Sequence, residues 1–181
     1  FDIEVFWVAL GFYTRVPCPK HSNYARLPQA GVYLPVIGWL VGGVTGLSYY
    51  VTSQVWGQTP SVILALITGV LLTGAFHEDG FADVCDGFGG GYGKERILEI
   101  MKDSRSGGYG VLGLVMIISL KISSLRELPP NSIPLVLLAG HSISRLPPLL
   151  LMRRYEYARH EDSKGSAAVF IPGPGQLVFA G

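Results

Sequence analysis

The run SVILALITGVLLTGAF, residues 61–76, carries no charged side chain, and it leads directly into His77-Glu78-Asp79-Gly80-Phe81-Ala82-Asp83-Val84-Cys85-Asp86. The first part reads as a membrane-type helix. The second places four carboxylates at its end, where the helix macrodipole disfavours them. Carboxylates gathered there repel one another and cost several kcal/mol if desolvated without partners. A binding task is the natural reason to keep them.

Composition sets the class. Hydrophobic residues make up 49% of the 181 residues and charged residues only 15%, with a mean hydropathy of +0.37. A soluble domain carries about 25% charged residues. The deficit lies in long apolar stretches, so the chain reads as an all-α, polytopic integral membrane helical bundle, one domain over residues 1–181. Spans are expected at 31–56, 60–77, 108–125 and 133–152, with a polar insert over 78–107. Residues 3–13 are apolar but too few to cross, and Pro17 and Pro19 stop them, so an interfacial helix is expected. Gly38, Gly42 and Gly46 recur every four residues and share one helix face, which admits close approach of another helix, in this chain or in a second copy. The net charge of +1 comes with no basic stripe, so nothing points to nucleic acid. Cys18 and Cys85 are too few for a disulfide framework.

Eleven Lys and Arg residues fall on one side of the expected spans, and two, Lys121 and Arg126, on the other. Basic residues gather on the cytoplasmic side. The acidic motif is therefore expected at the cytoplasmic face of the cell inner membrane.

Asp79, Asp83 and Asp86 are spaced four and three apart, which on a helix keeps them within about 60° of one another. Such a face suits one or two hard divalent cations and leaves positions for phosphate oxygens. Glu78 points about a quarter-turn away and is the weaker metal ligand. Asp103, closing an amphipathic helix expected over 94–104, can return to the same ions. Lys102, Arg105, Arg145 and Lys164 form a basic set suited to phosphate oxygens, with Ser104 between the first two. Arg145 lies inside the last span, where a cation needs a partner. His77, Asp83 and Asp103 are the catalytic candidates, His77 as a proton carrier. His141 reads as structural. A cation-coupled transporter would bury its acids deep in a span, often in repeated broken halves. Acids clustered at one face beside basic residues favour phosphate chemistry.

Thr73-Gly74-Ala75-Phe76-His77-Glu78-Asp79-Gly80-Phe81-Ala82-Asp83-Val84-Cys85-Asp86-Gly87, then Glu99-Ile100-Met101-Lys102-Asp103-Ser104-Arg105 and Gly107-Gly108-Tyr109-Gly110, resemble the cobalamin synthase family, in full adenosylcobinamide-GDP ribazoletransferase. Phe12-Tyr13-Thr14-Arg15-Val16-Pro17, Tyr33-Leu34-Pro35-Val36-Ile37-Gly38 and Tyr157-Ala158-Arg159 extend the resemblance over nearly the whole chain. It implies Mg²⁺-dependent transfer of adenosylcobinamide phosphate from adenosylcobinamide-GDP to α-ribazole or its 5′-phosphate, with release of GMP. It also implies a protein seated in the lipid bilayer, with further helices beyond Gly181. Glu78 departs from the family, which often has an apolar residue there, and Ser106 and Gly108 depart as well. CDP-alcohol phosphotransferases use similar chemistry, but their pattern places an Arg near the position of Asp83.

Overall fold

The computed structural model describes residues 2–19, 23–155 and 158, and among these every regular element is helical. The elements are α1 (Ile3–Tyr13), α2 (Leu27–Ala30), α3 (Leu34–Thr52), α4 (Gln58–Thr73), α5 (Phe76–Gly90), α6 (Lys94–Ile100), α7 (Gly108–Arg126), α8 (Ile133–Ile143) and α9 (Leu146–Arg154). Among the described residues three helical stretches are long and apolar enough to cross a membrane: Tyr24–Thr52, Gly108–Arg126 and Pro130–Arg154. The pair α4 and α5 makes a fourth if its 90° bend lies within one span.

The glycine face of α3 is the tightest seam. A Cβ on Gly42 would stand 2.7 Å from Leu138 Cα, one on Gly46 would stand 2.9 Å from the Pro134 carbonyl oxygen, and one on Gly38 would run into the His141 backbone. The four-residue period thus packs α3 against α8 backbone to backbone, and the partner comes from the same chain rather than a second copy. Tyr49, Val62, Ala65, Ile133 and Leu137 fill the space among α3, α4 and α8. A second core joins α1, α2 and α3 around Val8, Ile37 and Val41, with Leu149 of α9. Asp2 caps α1, and Arg26 pairs with Asp2 at 2.5 Å and Glu4 at 2.8 Å, so α1 is fixed to the bundle at its start.

The apolar run ends earlier than its composition suggests. Gly74 and Ala75 both take left-handed backbone angles, φ 66° and φ 60°, and the chain turns sharply. Gly74 accepts this conformation freely, whereas Ala75 carries a Cβ into it at a cost of about 1–2 kcal/mol. The Arg15 side chain lies against Gly74, and its backbone N–H donates to the Leu72 carbonyl at 2.8 Å, so the end of α1 braces the bend. The acids consequently do not trail the apolar helix. Glu78 and Asp79 occupy the first turn of α5, where the macrodipole favours negative charge.

Two further boundaries differ from expectation. Helix α6 closes at Ile100 and leaves Asp103 in a loop. The last span breaks at Ser144 and Arg145, because Pro147 and Pro148 lack N–H donors and crowd the preceding turn. Helix α7 buries only 6% of its apolar window and presents the remainder outward, as a lipid-facing helix does.

Candidate phosphate-transfer site

Helix α5 crosses against α6 and α7, and its acidic face grades from open to buried. Asp79 is exposed, Asp83 half-buried and Asp86 only 9% exposed. The Asp86 carboxylate is engaged on both oxygens: Gly107 N–H donates to Oδ2 at 2.7 Å and Gly110 N–H to Oδ1 at 2.8 Å. It therefore caps α7 from a neighbouring helix, supplying acceptors for N–H groups that have no partner within α7. A Cβ at 107 would stand 2.5 Å from Oδ1, and one at 110 would collide with Oδ2, so only glycine fits beneath this carboxylate.

The loop between α6 and α7 is thereby held over α5, and a cavity of about 610 Å³ lies between them. Its lining includes Asp86, Arg96, Glu99, Asp103, Arg105 and Tyr109. Arg105 grips Asp103 through Nη2 at 2.6 Å, through Nε at 3.1 Å and through its own backbone N–H at 3.1 Å. These bonds hold the Asp103 carboxyl down to about 2, from an ordinary 3.8. A carboxyl that acidic is a poor proton acceptor near neutral pH. Its hydrogen-bond partner here is the solvent-accessible Arg105 guanidinium at the cavity. Ser104 and Lys102 are exposed in the same loop.

The remaining site residues lie deeper. His77 and Glu78 open α5, and Arg145 sits at the break between α8 and α9, 9% exposed. The Glu78 charge reaches both Arg145 and His141, yet Glu78 Oε2 is buried without a hydrogen-bond partner. The bend at Gly74 and the break at Arg145 thus bring two opposite charges into one interior region, apart from the Arg105 cavity. Lys164 lies outside the described residues.

The model of the family described as cobalamin-5-phosphate synthase matches residues 5–180. The chain belongs to this family. An adenosylcobinamide-GDP ribazoletransferase of Shewanella amazonensis is 43% identical over 171 residues, 92% of this chain and 65% of the relative. That of Shewanella pealeana is 45% identical over 152 residues, 80% of this chain and 58% of the relative. That of Leptothrix cholodnii is 43% identical over 162 residues, covering 87% and 61%. The chain thus spans just under two thirds of the length of these curated relatives. No solved structure matches it.

For a cobalamin-5-phosphate synthase family member, the question at this face is whether its donors suit a divalent cation. Among the described residues no three His, Cys, Asp or Glu side chains converge on a metal position. Mg²⁺ does not require such a cage: it retains waters and binds through one or two carboxylates plus substrate phosphates. Asp79 and Asp83, one turn apart on α5, match that chemistry, and Asp86 keeps a lone pair on each oxygen beyond its backbone bonds. Sequence reasoning missed Arg96, Glu99 and Tyr109, which line the cavity. Arg96 falls in the amphipathic helix expected over 94–104, and Glu99 and Tyr109 entered only as members of the motifs that carry the resemblance.

Proposed function

We propose that the protein containing this chain joins adenosylcobinamide-GDP to α-ribazole, or α-ribazole 5′-phosphate, at the cytoplasmic face of the cell inner membrane. A ribose hydroxyl oxygen of the acceptor bonds to the phosphorus carried by cobinamide. The bond from that phosphorus to the GMP oxygen breaks, and GMP leaves with the electron pair. Asp79 and Asp83, with the free lone pairs of Asp86, hold Mg²⁺, which when bound neutralises charge on the diphosphate and on departing GMP. Arg105, held by Asp103, binds phosphate oxygens from the loop side, with Lys102 and Ser104 beside it. Lys164 belongs to the same basic set. His77, half-buried at the head of α5 and outside the Arg105 cavity, would take the hydroxyl proton from an acceptor that enters at that end of the acidic row. Arg145 and Glu78 set the charge at that end of the helix. Most of the catalytic effect lies in positioning and charge, as in other phosphoryl transfers.

One observation supports this reading: Asp86, at the far end of the α5 acidic row, bonds to the start of α7 and lines one cavity with Asp103 and Arg105, in a chain of this family. The test is GMP release by the full-length protein given adenosylcobinamide-GDP, α-ribazole and Mg²⁺. GMP formed only when all three are present supports it. Absence of GMP from folded protein sinks it.

A further inference from the structure

The cavity between α5, α6 and α7 holds an aromatic ring with no part in the transfer just described. Tyr109 is the second residue of α7 and lines the cavity while remaining 57% exposed. Its ring lies against the Gly89 backbone: a Cβ on Gly89 would stand 2.7 Å from both Cδ1 and Cδ2 and would collide with Cγ. Contact that even across the two Cδ atoms means the ring meets the glycine with its face. The opposite side accounts for the exposure. Arg96 and Arg105 line the same cavity, Arg96 held by Glu99 at 2.6 Å and Arg105 by Asp103 at 2.6 Å.

We infer that Tyr109 is the stacking platform of a nucleotide subsite in this cavity, with the base on the exposed ring face and the phosphate toward Arg105. A fixed aromatic face beside arginines is the combination that binds bases and phosphates together. The volume of about 610 Å³ falls in the range of small-molecule sites. Gly89 acquires a reason: any side chain there would push the ring off its seat. A tyrosine in the first turn of a spanning helix is also what a membrane-interface anchor looks like. An anchor, however, has no bearing on nucleotide affinity. The choice of GMP as probe rests on the proposed function, while stacking itself requires only a base.

Calorimetric titration of the full-length protein in nanodiscs with GMP and Mg²⁺ tests this. Tyr109→Phe keeps the ring and is expected to bind within about twofold of wild type, whereas Tyr109→Leu, still apolar enough to anchor, is expected to bind about tenfold more weakly. Gly89→Ala is expected to weaken GMP as well, by displacing the ring. AMP, if it binds, should show the same loss, because stacking tolerates every base. Wild-type GMP affinity in a folded Tyr109→Leu protein overturns the inference and leaves the transferase reading intact. Failure of the wild-type protein to bind GMP at all overturns both.

Discussion

Asp86 accepts the N–H of Gly110 at 2.8 Å, a bond that joins the end of the acidic helix to the first turn of a span 24 residues later. With the companion bond from Gly107, it makes one side chain both a member of the carboxylate face and the clasp of α7. Asp86→Asn keeps one acceptor and loses the other. Asp86→Ala loses both and leaves two N–H groups unmatched. Expected costs are about 1 kcal/mol and about 2 kcal/mol respectively, in the range for lost helix caps. Hydrogen exchange at Gly107 and Gly110 reads this directly: both amides should exchange faster in Asp86→Ala, while those of α3 remain unchanged.

The seam between α3 and α8 supplies an internal control. A methyl group on Gly42 would stand 2.7 Å from Leu138 Cα and 2.9 Å from two backbone oxygens, whereas one on Gly43 would meet nothing nearer than Leu138 Cδ1 at 4.0 Å. Gly42→Ala is expected to destabilise the protein by about 1–3 kcal/mol, as overpacking does. Gly43→Ala should be neutral or slightly stabilising, since Ala is the better helix former. Thermal unfolding in one detergent, with both variants side by side, checks the contrast. Equal shifts would mean the helices are not in backbone contact.

Glu78 and Arg145 carry opposite charges at the interior end of α5, Arg145 buried and Glu78 Oε2 without a hydrogen-bond partner. Arg145→Met alone is expected to cost about 1–3 kcal/mol, the range for a buried polar group left without compensation. Adding Glu78→Leu should restore most of that loss. A double variant no more stable than Arg145→Met would show that the two charges are independent.

The Asp103 and Arg105 pair gives a pH signature with a definite sign. The Asp103 carboxyl is depressed to about 2 in the folded protein from an ordinary 3.8. Its contribution is therefore complete above about pH 3.8 and disappears as pH falls through about 2. Both side chains are solvent-accessible, so salt screens the attraction. NMR of the Asp103 carboxyl carbon should titrate near pH 2 in wild type and move toward 3.8 in Arg105→Gln.

The helix inventory was legible because its signals are local: long uncharged runs, and glycines at 38, 42 and 46 in register, although the break that Pro147 and Pro148 make in the last span was not read from them. The common face of Asp79, Asp83 and Asp86 follows from spacing alone, once α5 is known to be helical. The bend before α5 was not legible. Gly74 signals freedom to turn, but an alanine at 75 gives no hint of a left-handed angle, which the bracing of Arg15 against Gly74 accompanies. The reversal of the dipole argument for the acids follows from that one unseen bend. The clasp at Asp86 and the seat of Tyr109 on Gly89 escaped for a related reason: each joins positions about 20 residues apart whose pairing depends on how α5 crosses α7.

The most direct measurement is GMP release by full-length protein with adenosylcobinamide-GDP, α-ribazole and Mg²⁺, comparing wild type with Asp83→Asn. Asp83→Asn is nearly isosteric, and the folded variant should lose turnover by about two orders of magnitude or more, the scale of removing one group that stabilises transition-state charge. Turnover near the wild-type rate in that variant would contradict the assignment of the α5 carboxylates as the metal-holding face.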